Sequence, residues 1–236
     1  MMKNPIKPAP SRHVIREVII NQGNIGDLIS DRTNDLHFIG CDFSEAILKD
    51  ITLTNAVFED CDFRDASLEH ANLDNCHWLR CKGHRLSLSY ANCMENVVKS
   101  CDFSGSSWLA TQLSHTKFVG CKLLGANFSN SRNLGVTFEE CNLISAIMKR
   151  FSFRDQTLRG LNLSDADLGG CDFCGTEFED CKLVGASIRA TKFKGADLRD
   201  ADLGLVDLRD AANFRGAIIS KSQASDLLTA YGMLVM

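Results

Sequence analysis

The sequence predicts an all-β solenoid: a parallel coil with four short sides and twenty residues per lap, about nine laps over residues 36–210. Three observations predict it. An apolar residue returns every fifth position without a change of register, from Phe38, Phe43, Leu48 and Leu53 to Leu198, Leu203 and Leu208. A small residue stands two places before it, as at Cys41, Ala46, Ala56, Cys61 and Ala66, and a polar one stands one place before it. A period of twenty is laid over the five, in Cys41, Cys61, Cys81, Cys101, Cys121, Cys141 and Cys181 and again in Phe38, Phe58, Trp78, Phe118, Phe138 and Phe178.

A period of five matches neither the helix at 3.6 nor the strand at 2.0. No straight element keeps such a stripe on one face, whereas a chain that turns a corner every five residues does. The large and the small residue then both point inward. The period of twenty is the independent check, because like residues recur at that interval only if laps are stacked in register.

The N-terminal segment, 1–35, reads as tail and cap. Residues 1–12 hold all three prolines, Pro5, Pro8 and Pro10, and read as an extended tail. Val14, Ile15, Val18, Ile19, Ile20, Ile25, Leu28 and Ile29 are apolar but off the five-residue register. A first lap would leave its core open to water, so residues 13–35 are expected to cap it. A strand or a short helix would serve, since Gly23 and Gly26 oppose a long one.

The rod, 36–210, should be about 40 Å long at ~4.8 Å per lap. Two corners break the phrase. Gly83 stands where Leu belongs, within Arg80-Cys81-Lys82-Gly83-His84-Arg85. Around Asn133, in Ser131-Arg132-Asn133-Leu134-Gly135, the apolar residue slips by one place. Neither shifts the register that follows. The last segment, 211–236, leaves the repeat. Ser220 to Gly232 reads as a short helix with Gly at its C-terminal cap, and Met233-Leu234-Val235-Met236 is an apolar tail. This is more apolar surface than one lap end requires, which predicts a two-fold dimer joined end to end through Leu227, Leu228, Tyr231, Met233, Leu234, Val235 and Met236.

The net charge of −4 argues against nonspecific nucleic-acid binding. No apolar run is long enough to span a bilayer, so no membrane partner is expected. Of eleven cysteines, nine take the small inward position, Cys93 takes the large one, and Cys174 takes neither. Buried free thiols behave as small apolar residues, and so many unpaired ones fit a reducing, cytoplasmic compartment. Cys76, Cys81 and His84 have ligand-like spacing but lack the matched second pair of a zinc site, so no metal or other cofactor is expected. The six histidines are scattered, no nucleotide-binding or zinc-protease motif occurs, and a rod packed with side chains offers no pocket. The sequence therefore reads as a binding protein rather than an enzyme.

The A-(D/N)-(L/F)-x-x phrase, plainest in Ala196-Asp197-Leu198 and Ala201-Asp202-Leu203, resembles the pentapeptide-repeat family. That resemblance implies a right-handed quadrilateral β-helix. Leu88-Ser89-Tyr90-Ala91-Asn92, Val97-Val98, Cys101, Trp108 and Gln112 resemble a run in Qnr-type quinolone-resistance proteins. So do the opening Phe38-x-x-Cys41-Asp42-Phe43-Ser44 and the ending Gln223-Ala224-Ser225-x-Leu227-Leu228. What this implies is a dimer that binds DNA gyrase or topoisomerase IV and protects it from quinolones or other gyrase poisons. The alternative is an interaction scaffold or effector with another partner. Two departures from the Qnr pattern stand out: in place of two projecting loops there is only the un-inserted corner 80–85, near where one such loop would sit, and the N-terminal segment is longer.

For partner binding the candidates are Arg80, Lys82, Gly83, His84 and Arg85 at that corner, with the acidic set Glu59, Asp60, Glu139, Glu140, Glu179 and Asp180. The acidic residues recur at multiples of twenty and so share one flank, where an acidic rod would stand in for DNA. Lys99, Arg159 and Arg199 fall in the same columns.

Overall fold

The computed structural model describes residues 13–29 and 35–235, apart from the side chain of Leu208. The proline-bearing segment 1–12 and Met236 lie outside them. Ten strands form one parallel sheet in strict sequence order. They are β1 (His13–Arg16), β2 (Leu36–Ile39), β3 (Val57–Glu59), β4 (His77–Leu79), β5 (Val97–Lys99), β6 (Lys117–Val119), β7 (Thr137–Glu139), β8 (Thr157–Arg159), β9 (Glu177–Lys182) and β10 (Asp197–Asp202). From β2 to β9 paired residues lie twenty places apart, as in Phe38↔Phe58↔Trp78↔Val98↔Phe118↔Phe138, and between β9 and β10 the register shifts once, at Asp200↔Glu179. The other three sides are held by single parallel bridges at the same interval, such as Asp42↔Asp62↔Lys82, Ile47↔Ser67↔Ser87 and Thr52↔Asn72↔Asn92. The four-sided lap is thus the repeating unit.

Its interior is solid. Large side chains from successive laps stack as rings: Phe43 on Phe63 at 4.3 Å, and Phe153, Phe173, Phe193 and Phe214 in a column of nearly parallel rings at 4.9–5.2 Å. The small inward position does more than save space. Its Cys and Thr side chains donate to the carbonyl oxygen twenty-three residues back, from Cys81 to Phe58 (3.3 Å), Cys121 to Val98 (3.3 Å), Thr111 to Leu88 (2.7 Å) and Thr176 to Phe153 (2.7 Å). The ladder thiols lie along one wall, and Cys81 N–H donates to the sulfur of Cys101 at 3.4 Å. A residue that is small, apolar and yet a donor suits a buried place beside an extra carbonyl, which is why Cys and Thr share it.

Each corner carries one residue in the left-handed region. Glycine supplies many of these, but Asp50, Asn55, Arg80, Tyr90, Ala110 and Ala190 hold the same conformation at φ between 52° and 62°. The repeat geometry fixes the turn, and the residue yields to it.

The two interrupted corners are handled differently. At Gly83 the lap is undisturbed: Lys82 keeps its bridges to Asp62 and Asp102. A Cβ on Gly83 would lie 2.7 Å from Phe103 Cδ1 and 3.2 Å from Leu86 Cδ2. Leu86, a large residue in a small slot, and Phe103 from the next lap fill the space that Gly83 leaves. At Asn133 the expected slip of the apolar residue is not found. Leu134 points to solvent at 73 % exposure, and Asn133 itself keeps the inward place, half-buried. The deficit is filled from the following lap by Phe151, another large residue in a small slot. It is fully buried among Phe128, Phe138 and Phe153.

That wedge opens the stack locally. The column Asn92↔Gln112↔Arg132 stops, and it resumes only at Ser152↔Asp172. Leu113 and His115 donate to the next lap (2.9 and 2.8 Å), but their counterparts Asn133 and Gly135 do not. Between β7 and β8 only Glu139↔Arg159 remains in register, and Gln156 Nε2 reaches across to Val136 O at 3.2 Å.

Both ends are closed. β1 pairs with β2, and Ile15, Ile20 and Ile25, the last opening the short helix α1 (Ile25–Ile29), cover the first lap. After β10 a 3-10 helix, Leu208–Phe214, brings Phe214 onto Phe193, and α2 (Lys221–Ala230) follows. Ser220 and Gln223 form a reciprocal cap at the N-terminus of α2, and Gly232 turns the chain after it at φ 79°.

Candidate interaction surfaces

The corner 80–85 is folded onto its neighbours. Arg80 clasps Asp60 (Nε to Oδ1, 2.8 Å) and Glu59 (Nη2 to Oε1, 2.6 Å), and His37 adds a contact to Glu59 at 3.1 Å. Arg85 holds Asp65 at 2.6 and 2.7 Å, and His84 lies 3.6 Å from Asp102. Lys82 is exposed between Asp62 and Asp102, and Gly83 is buried. Arg80 beside Glu59 and Asp60 holds both carboxyls below the usual carboxylate range. Two groups of candidates, the basic corner and the first acidic pair, are therefore partners of each other. One-dimensional spacing shows the column but not which side chain bends along it.

The acidic flank survives in the second half of the rod. Glu179 is taken by Arg159, and Asp197 by Arg199 (2.6 Å). Glu139, Glu140 and Asp180 have no ion pair within 4.0 Å among the described residues, and the Glu140 carboxylate lies over the bare α-carbon of Gly160. Glu177 and Asp200 extend this flank, and Asp200 accepts from Asp180 N–H at 3.0 Å. Both were legible in the sequence, since Glu177 is two places before Glu179 and Asp200 is twenty after Asp180.

Cys76 and Cys81 point into the core and donate to Leu53 O and Phe58 O (3.0 and 3.3 Å), whereas His84 is exposed on the outside. Three residues so divided cannot meet at one ion. Burial pushes the thiols of Cys171 and Cys181 up, to about 12 and about 11. Thiols so placed are poor nucleophiles and poor ligands.

At the C-terminal end, Gln223 Nε2 donates to the carbonyls of both Leu198 and Ala201 at 2.7 Å, so α2 is pinned to the last lap. The Tyr231 hydroxyl donates to Val206 O at 2.8 Å. Leu227 faces inward on an apolar cleft with Leu203, Val206, Ala211, Phe214 and Ile219. Leu228, Met233, Leu234 and Val235 face outward, Leu234 at 94 % exposure, and α2 buries none of its residues. No helix among the described residues is long and apolar enough to cross a membrane.

Models of known families match most of the chain: the pentapeptide repeat region over 32–98, and pentapeptide repeats (8 copies) over 99–132, 138–175, 171–210 and 181–226. Among curated protein sequences nothing matches. Among solved structures, the full-length QnrB1, a plasmid-mediated fluoroquinolone resistance protein, is 19% identical and superposes with a TM-score of 0.58, over 94% of this chain and 100% of its own. HetL, a pentapeptide repeat protein involved in heterocyst differentiation regulation in the cyanobacterium Nostoc sp. strain PCC 7120, is also 19% identical, with a TM-score of 0.29 over 75% of this chain and 96% of its own. The five-residue phrase, the four-sided parallel lap and the family matches together place this chain in the pentapeptide-repeat family.

Proposed function

We propose that this protein binds a bacterial type II topoisomerase, DNA gyrase or topoisomerase IV, as a rod that competes for a surface built to hold DNA. In doing so it protects the enzyme from quinolones or other gyrase poisons. The observation that carries the reading is the unneutralised flank of Glu139, Glu140 and Asp180 on a rigid rod with no side-chain-free interior. The likeness of fold to QnrB1 supports it. The action is binding rather than catalysis, and the setting is the cytoplasm. The outward Leu228, Met233, Leu234 and Val235 join two copies end to end, which doubles the length of rod offered to the partner.

A gyrase supercoiling assay with added protein, with and without ciprofloxacin, tests the function. Inhibition at high protein and rescue from the drug are expected, and Glu139→Lys with Glu140→Lys and Asp180→Lys should weaken both. No inhibition, no rescue and no capture of either gyrase subunit would remove the topoisomerase reading. For the dimer, deletion of 222–236 or Leu234→Asp should halve the mass in solution. An unchanged mass would place the interface elsewhere.

A further inference from the structure

The net charge conceals a local reversal. On the two sides of the rod that contain residues 126–135, 146–155, 166–175 and 186–195, the basic residues are Arg132, Lys149, Arg150, Arg154, Arg189, Lys192 and Lys194, and the acids are Asp155, Asp167 and Asp172. Two of the acids are tied: Asp167 to Lys149 at 2.9 Å and Asp172 to Arg154 at 2.8 Å. Arg132, Arg150, Arg189, Lys192 and Lys194 have no ion pair among the described residues. This differs from the corner 80–85, where Arg80 and Arg85 are each paired with acids.

The ground between these cations is low and carries one carboxylate, Asp167, which accepts from Gly169 N–H at 3.2 Å and is neutralised by Lys149. Gly169 and Gly170 stand one lap above Lys149 and Arg150 and one lap below Arg189 and Ala190. This double-glycine corner is the floor of an open cleft of about 700 Å³ that also includes Ser129, Asn130, Asp167 and Ser187. Arg150 and Arg189, neither of them in an ion pair among the described residues, are two laps apart, roughly 10 Å at the stacking distance of parallel strands. That gap admits a phosphate group between them. Beside the cleft lies the seam at Asn133, where Ser131 Oγ is buried without a hydrogen-bond partner and Gly135 makes no lap-to-lap bond.

We infer that this corner is a docking strip for the phosphodiester backbone of duplex DNA, with Arg150 and Arg189 as its central contacts. Planar guanidinium groups that are free of carboxylates suit bidentate phosphate binding. The free cations extend over about three laps, roughly 15 Å, and a DNA strand presents a phosphate every ≈ 3.4 Å of axis. The acidic flank of Glu139, Glu140 and Asp180 is half a lap away, at the opposite corner, and does not face an occupant of the basic one. A duplex meets a convex rod along one line, so the basic corner can take it and the acidic flank stays turned away. This inference does not rest on the topoisomerase reading, since it needs the chain and DNA alone.

Anisotropy of a fluorescein-labelled duplex of roughly twenty base pairs, titrated with the full chain, tests it. With three or four phosphates neutralised, affinity should fall roughly 40- to 150-fold between about 50 and about 200 mM salt. Arg150→Glu with Arg189→Glu should weaken binding at least about tenfold and flatten the salt dependence by about two phosphate contacts, with circular dichroism unchanged. Arg64→Glu, on a side away from the strip, should leave binding within about threefold. No binding at about 50 mM salt, or binding that the double substitution does not touch, overturns the proposal. Polyglutamate binding at this corner in the absence of DNA binding also overturns it, and makes the occupant an acidic polypeptide.

Discussion

Restoring the repeat at Gly83 should destabilise the protein. The sequence pattern argues the reverse: position 83 is an inward place that holds Leu or Phe elsewhere, and a newly buried Leu is worth about 1.5–3 kcal/mol by area. The structure reverses the sign. A Cβ there meets Phe103 Cδ1 at 2.7 Å and Cε1 at 2.8 Å before any further atom of the leucine is placed. The Phe103 ring cannot swing away freely, because it lies against Trp78 at 5.8 Å and Trp108 at 6.1 Å, all three fully buried. Gly83 is also outside the positive-φ region, so no backbone strain is relieved or created. Overpacking of this kind costs about 1–3 kcal/mol. Leu86→Ala alone removes the compensating side chain and should cost about 2–5 kcal/mol. Combined, Gly83→Leu and Leu86→Ala restore the ordinary phrase, and the pair should cost less than the sum by about 1–2 kcal/mol, as contacting sites do. Urea unfolding followed by circular dichroism measures all three variants. A raised midpoint for Gly83→Leu, or strict additivity in the double variant, would refute the account of how this lap is filled.

Four further outcomes are expected. In the native protein a thiol reagent should modify Cys174 quickly and the other ten cysteines only on unfolding, because those ten are buried; fast modification of several would show that the ladder breathes. Ala110→Gly should raise stability by about 0.5–1 kcal/mol, since Ala110 is held at φ 54° where glycine is unstrained; a fall in melting temperature would count against a strained corner. Glu59 and Asp60 have lowered folded pKa values, so their contribution is present above their unfolded values near pH 4 and is lost as the pH falls through the folded ones. Arg80→Gln should therefore reduce the loss of melting temperature between about pH 6 and about pH 3, and an unchanged loss would mean that the clasp does not form in solution. Amide hydrogen exchange should be fastest within the rod at Asn133, Gly135 and Ser152, where the lap-to-lap bonds are missing; protection equal to that of Leu113 and His115 would close the seam.

How much was legible follows from what a period encodes. A five-residue phrase with a twenty-residue overtone specifies the lap, its four sides and the inward faces, because every inward residue meets the same environment and must be of the same type. The short helix of α2 was also legible, since Ser220, Gln223 and Gly232 are local signals with local partners. The filling of exceptions was not. Leu86 fills the gap at Gly83 within a lap, and Phe151 fills the gap at Asn133 from the next lap. Both sit in slots that the phrase assigns to small residues, so the sequence marks them as oddities without joining them to the places they mend.

Charge obeyed the same division. The columns that place Glu139, Glu140 and Asp180 on one flank could be read directly, because stacking at twenty residues fixes where each backbone position lies. Which charges remain free was decided by side chains reaching between columns: Arg80 neutralises Glu59 and Asp60, while Asp167 goes to Lys149 and leaves Arg150 and Arg189 without an ion pair among the described residues. The sequence by itself determined the coil, because its repeat is a property of the chain taken one residue at a time. Only the tertiary structure decided which surface is charged, because pairing between laps depends on the length and direction of side chains twenty residues apart.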